Sequence, residues 1–327
     1  MIVQTLSTTV DKKKKTAFIR PLKICLPLAL GFLLVFLYFF RRTRLKSSVL
    51  LPASDHASQL KNCDLQEGIA KGIHPLGYTF FTFDPGRDKH VSAGMIATEG
   101  LYDAHIHAAL DVSLEKSKSS LCDAILDVGS NLGTLALYAG AKGKGCPVHA
   151  FEMQPAVACR LEMSIKASGF SHVTLHRAAV SSISGKLYSF NTLPSNPGGV
   201  GLQQELTKGT AGETTVGTVN LDEMFIDKSN IVFMKIDTEG HEFEVLKSAK
   251  QLLKEQKIKN IVVEIRSDQV EMVEFMYKNG YTCDLIKVKQ RKWKLIKAKP
   301  SCRNSMENVM EKVKRILHFD DMFCCVS

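Results

Sequence analysis

The sequence predicts an α/β protein built on a doubly wound, mostly parallel, seven-stranded sheet that follows an N-terminal transmembrane helix. Three observations carry this. Short apolar runs alternate with amphipathic segments between residues 116 and 300, the pattern of a parallel sheet covered on both faces. The first run ends in a glycine-containing turn, Asp127-Val128-Gly129-Ser130-Asn131-Leu132-Gly133. Residues 24–40 are all apolar, Gly or Pro.

The apolar run comes first in the chain. At 1.5 Å per residue, residues 24–40 reach roughly 25 Å, the short end of what a bilayer requires. The run is longer than a signal-peptide core and is followed by Arg41, Arg42 and Arg44, not by small residues, so an uncleaved anchor is expected. A buried core helix is disfavoured because no face of the run is polar. Lys12, Lys13, Lys14, Lys15, Arg20 and Lys23 precede the run, and Arg41, Arg42, Arg44 and Lys46 follow it. This balance favours a cytoplasmic tail over 1–23 and a type II protein of the endoplasmic reticulum or Golgi, with a cytosol-facing domain left open. Residues 41–72 read as a stem.

A cap segment over 73–115 contains the β-rich run 78–83, closed by Asp84-Pro85-Gly86. The main domain is expected over 116–300. Its strands are 124–128, 148–152, 173–176, 230–236 and 261–265, and its helices 133–141, 156–168, 242–256 and 269–279. Residues 184–219 are rich in Gly, Ser, Thr and Pro and are expected to hold a short strand pair. An antiparallel pair, 281–288 and 292–298, is expected to close the sheet. Residues 301–327 form a tail with an amphipathic helix over 304–318.

The formal charge of +10 does not mark a nucleic-acid binder. Residues 1–46 carry ten Lys/Arg against one Asp, and 287–327 carry eleven against four acids. The middle of the chain is mildly acidic, so no nucleic-acid partner is expected. The nine cysteines include no CxxC pair and no zinc spacing, and no disulfide framework can be read from them.

The ligand of such a sheet belongs at the carboxyl ends of its central strands. Gly129 and Gly133 allow a tight turn and a close backbone approach there. Asn131 replaces the middle glycine of the dinucleotide fingerprint, which suits a ligand without a pyrophosphate and disfavours a nicotinamide-dependent reductase. About twenty residues on, Glu152 is placed to accept both hydroxyls of a ribose. These residues together point to a nucleoside ligand. A second cluster, Lys235-Ile236-Asp237-Thr238-Glu239-Gly240-His241-Glu242, ends the fourth strand and sets Asp237 and Glu239 beside the reacting centre. His241 titrates near neutrality and is a candidate general base, or else a surface residue at a helix start. Glu242 and Glu244 are explained equally well as capping acids. Glu264 is a candidate substrate or metal ligand, and no metal site is assigned.

With these motifs, over roughly 84–285, the chain resembles the FkbM family of methyltransferases. The resemblance rests on Asp88-Lys89-His90-Val91-Ser92, the turn at 127–133, Phe151-Glu152-Met153-Gln154-Pro155, Ala179-Val180-Ser181, Leu221-Asp222 and the cluster at 234–242. It implies a class I methyltransferase fold that is Rossmann-like, with S-adenosylmethionine as cofactor. It also implies O-methylation of a hydroxyl on a sugar, glycan or other small metabolite. The cofactor contacts it implies are Asp127, Gly129, Asn131, Gly133, Glu152, Met153 and Ala179, with Met153 against the nucleobase. His241, Asp237 and Glu239 are then the catalytic candidates. A membrane-tethered binding module of the same fold without turnover is the rival from another class. Oligomeric state is not legible.

Two features of the C-terminal region stay open. Seven of the thirteen residues from Lys287 to Lys299 are Lys or Arg, either a solvated face of a hairpin or a patch for anionic glycans or lipid headgroups. The terminal Cys324-Cys325-Val326-Ser327 matches a prenylation signal, which is cytosolic chemistry and conflicts with a lumenal domain. The chain has no N-x-[ST] sequon.

Overall fold

The computed structural model describes residues 49–51, 68–117, 122–191, 196–202, 204–205, 215–291 and 294–326. The anchor expected at 24–40 lies outside the described residues. Among the described residues no helix is long and apolar enough to cross a membrane.

The described residues begin with strands β1 (Val49–Leu51), β2 (Ile69–Ile73) and β3 (Thr79–Thr82), an antiparallel set, followed by helices α1 (Val91–Ala97) and α2 (Ala104–Lys116). The alternation of strand and helix follows: β4 (Ala124–Val128), α3 (Thr134–Lys142), β5 (Val148–Phe151), α4 (Pro155–Ala167) and β6 (Val173–His176). The expected strand pair over 184–219 is a four-stranded sheet of β7 (Ala179–Val180), β8 (Leu187–Ser189), β9 (Gln204–Glu205) and β10 (Thr215–Val219). Next come α5 (Leu221–Phe225), β11 (Ile231–Ile236), α6 (Glu242–Ser248), α7 (Lys250–Lys254), β12 (Asn260–Ile265), α8 (Val270–Lys278) and β13 (Tyr281–Leu285). The ribbon β14 (Lys287–Arg291) and β15 (Lys294–Lys299), helix α9 (Met306–Val313) and strand β16 (Asp320–Val326) complete the chain.

The seven-stranded sheet has the order β13-β16-β12-β11-β4-β5-β6. β4 pairs in parallel with both β5 and β11, so the direction of winding reverses at β4 and a crevice opens at the carboxyl ends of β4 and β11. β11 and β12 are buried along their whole length, as expected of strands covered on both faces. Ile261 and Val263 pack into one apolar cluster and Val262 into the other, following the two-residue period of a strand.

Three expectations need correction. The sheet is not closed by the pair 281–288 and 292–298, because β16 inserts between β12 and β13, antiparallel to each. Met322, Phe323 and Cys324 are fully buried and supply the apolar strand that the cationic segment after β13 cannot. Residues 301–327 are therefore part of the folded domain. The helix expected over 242–256 divides at Ala249 (φ −106°, ψ 21°), where the Asp222 carboxylate accepts the backbone N–H groups of Gln251 (2.8 Å) and Leu252 (2.9 Å) and caps a second helix.

Cysteines do pair: Cys122 with Cys146, Cys283 with Cys324, and Cys302 with Cys325. Cys283 and Cys324 face each other in the β13–β16 register, a proximity that topology creates and spacing cannot reveal. With Cys324 buried and disulfide-bonded, the prenylation reading of the last four residues is withdrawn.

The cap segment is docked, not appended. The backbone N–H of Phe81 donates to the Ser164 hydroxyl of α4 at 2.9 Å. Arg160, wholly buried in α4, donates to the Gly68 carbonyl at 2.8 Å and stacks its guanidinium 3.6 Å from the centre of the Phe83 ring.

Candidate active site

A cleft opens at the carboxyl ends of β4, β5 and β11. Eight residues expected from the sequence line it: Gly129, Asn131, Glu152, Met153, Ala179, Asp237, Glu239 and His241. Asp127 and Gly133 are not among the lining residues.

The two absent residues act beneath the cleft. Asp127 is fully buried and accepts the backbone N–H of Ala136, in the first turn of α3, at 2.9 Å. Gly133 has a left-handed backbone (φ 85°), and a Cβ there would stand 2.3 Å from the Leu161 side chain. It lets α3 begin against α4. Gly129 (φ 74°) meets a harder limit, because a Cβ there would lie 1.8 Å from the Asp237 carbonyl oxygen. The ends of β4 and β11 touch backbone to backbone at this point.

Lys235 joins the two motifs. Its ammonium donates to the Gly129 carbonyl at 2.9 Å and lies 3.3 Å from the Asp237 carboxylate and 3.8 Å from that of Asp127. Burial pulls the Lys235 pKa down, but the facing carboxylates of Asp237 and Asp127 outweigh it and raise the value above the ordinary lysine range. On Asp127 burial wins instead and pushes the pKa up to about 6, against the pull of Lys235.

Glu152 is 6% exposed and stands at the end of β5. Its two oxygens accept the backbone N–H groups of Asn131 (2.9 Å) and Gln154 (2.8 Å). Burial still pushes its pKa up to about 7, the backbone donors opposing it. Asn131 has positive φ (50°), a conformation asparagine tolerates better than most residues.

The turn after β11 is organised by a residue the sequence left as a capping acid. One oxygen of Glu242, which is 1% exposed, accepts from Thr238 N (3.0 Å), Gly240 N (2.9 Å) and the Thr238 hydroxyl (3.2 Å). Glu239 is thereby held at φ 54°, a left-handed conformation uncommon outside glycine, and burial followed by the Asp237 charge raises its pKa. His241 lines the cleft, and its Nε2 lies 3.1 Å from the Ser181 hydroxyl. Burial lowers its pKa below the ordinary 6.5, so the ring is neutral at physiological pH. Glu244, by contrast, bonds the Ser182 hydroxyl and Lys247 outside the cleft.

Glu264 flanks the acidic end. Burial, then the carboxylates of Asp237, Glu239 and Glu242, push its pKa up to about 8, and Arg266 lies 3.5 Å from it. Among the described residues no group of three or more His, Cys, Asp or Glu is placed to hold a metal ion.

Sequence reasoning missed Ser181, Gln154 and the segment 198–202. Gly198, Val200 and Leu202 line the cleft, and a Cβ on Gly198 would meet the Asn131 side chain at 2.1 Å. The glycine-rich composition of 184–219 was the available signal, but composition does not say which sheet edge such a segment covers.

The model of the methyltransferase FkbM domain matches residues 127–283. Over 150 residues the chain is 37% identical to the hexuronic acid methyltransferase AglP of Haloferax volcanii, a match covering 44% of this chain and 56% of that protein. The chain thus spans little more than half the length of this relative. Among solved structures, the METTL16 methyltransferase domain superposes with a TM-score of 0.42 at 10% identity, covering 86% of this chain and 98% of that one. Magnesium protoporphyrin IX methyltransferase (ChlM) from Synechocystis PCC 6803, with bound SAM, does so with a TM-score of 0.38 at 9% identity, covering 72% and 84%.

Proposed function

We propose that this protein is an S-adenosylmethionine-dependent methyltransferase that O-methylates a hydroxyl of a sugar, glycan or other small metabolite at a membrane. One observation carries the reading. A single cleft is lined by Gly129, Asn131, Glu152, Asp237, Glu239 and His241.

The residues present fit S-adenosylmethionine as the cofactor. Each Glu152 oxygen accepts one backbone N–H and retains a lone pair, which suits the two hydroxyls of a ribose. Phe151 and Met153 offer apolar surface for a nucleobase. Gly129 keeps the floor of the cleft bare of side chains. When bound, the cofactor supplies an electrophilic methyl group on a sulfonium centre.

The chain's own contribution is to hold and deprotonate the acceptor. An alcohol is a weak nucleophile until a base takes its proton. His241, neutral and oriented by Ser181, is that base, receiving the proton on an imidazole nitrogen. Asp237, tethered by Lys235, and Glu239 accept hydrogen bonds from acceptor hydroxyls and fix their direction, where most of the advantage of a bound reaction arises.

The apolar run at 24–40 supplies the tether. Three disulfides support a catalytic domain exposed to an oxidising compartment, and so a type II arrangement in the endoplasmic reticulum or Golgi. The test is methyl transfer from labelled S-adenosylmethionine into fractionated glycans and lipids. Alkali-stable label in a saccharide is expected. An alkali-labile ester, label on nitrogen, or no transfer refutes the proposal.

A further inference from the structure

Helix α2 of the cap grips the residue that follows the turn at 127–133. Thr134 opens α3. Its hydroxyl donates to the Asp103 carboxylate at 2.9 Å, and its carbonyl accepts from His107 Nε2 at 3.0 Å. Asp103 and His107 stand four residues apart, on one face of the helix start. Two residues beyond Thr134, the Ala136 N–H is held by Asp127. The turn whose Gly129 and Asn131 line the cleft is therefore tied to β4 through Asp127 and to the cap through Thr134.

The grip contains a titratable ring that has no acid to receive its charge. His107 is 3% exposed and stacks on Tyr138 of α3, with ring centres 4.0 Å apart. A carbonyl only accepts, so Nε2 carries the proton and Nδ1 is a bare lone pair with no partner. His74, from the turn after β2, meets this ring edge-on at 6.5 Å between centres. Its Nδ1 accepts the Leu76 N–H at 3.0 Å, so its own proton sits on Nε2, which is also unpartnered.

The charged groups around His107 are engaged elsewhere. Asp103 is bonded to Thr134, Asp111 accepts the Tyr138 hydroxyl at 2.8 Å with Lys142 at 3.9 Å, and His105 bonds Asp321 at 2.6 Å. Of the strands packed on α2, β15 carries only lysines as charged residues, and β11 and β12 add Val232, Phe233 and Val262 to the apolar cluster of the helix. A second proton on His107 would place a charged N–H among apolar groups with nothing to accept it. Burial accordingly drives its pKa down to about 3.

We propose that His107 is a positioning residue for cofactor binding: with Asp103 it clamps Thr134 and the turn at 127–133, and a second proton on its ring opens the clamp. The cofactor part rests on the methyltransferase reading, but clamp opening is measured without cofactor, so the two can fail separately. The folded pKa lies below the ordinary 6.5, so the clamp is fully stabilised above pH 6.5 and weakens as pH falls. Between pH 6.5 and pH 5.0 the His107 contribution to opening grows about thirtyfold. Burial raises the Asp103 pKa, an effect of opposite sign that is common to variants at His107.

The test is amide hydrogen exchange of the full chain in detergent at pH 7.5 and 5.0, corrected for intrinsic rates, beside His107→Gln. The glutamine amide still donates to Thr134 and takes up no proton. On acidification, protection of α2 and residues 129–136 should fall about thirtyfold more in the unaltered chain than in this variant. His107→Leu, which lacks the donor, should bind S-adenosylmethionine about tenfold more weakly at pH 7.5, and His107→Gln should restore the affinity. If His107→Leu does not fold, the exchange comparison decides alone. Equal acid loss of protection in the unaltered chain and His107→Gln, or unchanged cofactor affinity in His107→Leu, overturns the proposal. Absence of cofactor binding in the unaltered chain overturns the methyltransferase reading instead.

Discussion

Replacing Lys235 with Met should destabilise the protein in a way that depends on pH. Lys235 is the cation beside the buried Asp127 carboxylate, at 3.8 Å, and it also holds Asp237 at 3.3 Å. Even with Lys235 in place, burial raises the Asp127 pKa from 3.8 to about 6. At 1.36 kcal/mol per unit, the ionised form costs roughly 3 kcal/mol at neutral pH. Removing the cation leaves that charge without compensation, for which about 3–5 kcal/mol of further loss is expected. A group whose folded pKa is raised stabilises the fold fully below its unfolded pKa and loses that contribution as pH rises through the folded value. In Lys235→Met the folded Asp127 pKa rises further, so the deficit against the unaltered chain should be small below about pH 6 and grow by about 1.4 kcal/mol per pH unit above it until the raised value is passed. Urea unfolding of both proteins across that range measures it. A deficit under about 1 kcal/mol at pH 8, or one of equal size at pH 4 and pH 8, would show that Lys235 does not compensate Asp127.

His241→Gln should lower kcat by about 10²–10⁴-fold with little change in cofactor affinity. In the unaltered chain activity should fall only as pH drops below the ordinary histidine value of 6.5, because burial lowers the His241 pKa; steady-state pH profiles would expose a mistake, since a kcat within threefold removes His241 as the base. Gly129→Ala should fail to form the cleft, because its Cβ would stand 1.8 Å from the Asp237 carbonyl oxygen; a variant that binds cofactor and melts normally would contradict that contact. Cys283→Ser/Cys324→Ser opens a link between residues 41 apart and should cost up to about 4 kcal/mol by chain entropy. Denaturation under non-reducing conditions checks it, and an unshifted midpoint would mean that the bond does not form.

The strand and helix alternation was legible because buried parallel strands leave continuous apolar runs, as in residues 231–236 and 261–265. The cleft was legible where chemistry is local, at Gly129, Glu152, Asp237 and His241. What could not be read depends on distant parts of the chain. β16 looked like a tail because its apolar core, Met322 to Cys324, is short and ends in a pattern that mimics a lipidation signal. The disulfides depend on strand adjacency. Asp127 looked like a ligand contact, yet its carboxylate points beneath the turn to Ala136 and Lys235, a direction that spacing alone does not encode. Ser181 gains meaning only from its position 3.1 Å from His241 across 60 residues of chain.

The central claim is that Glu152 and the turn after β4 form an S-adenosylmethionine site. Isothermal titration of S-adenosylmethionine into the full chain, alongside Glu152→Ala and with a nicotinamide dinucleotide as control, tests it most directly. Saturable binding of S-adenosylmethionine alone is expected, weakened at least about tenfold by the loss of a charged hydrogen-bond acceptor in Glu152→Ala. Absence of binding, or equal affinity in the variant, would contradict it.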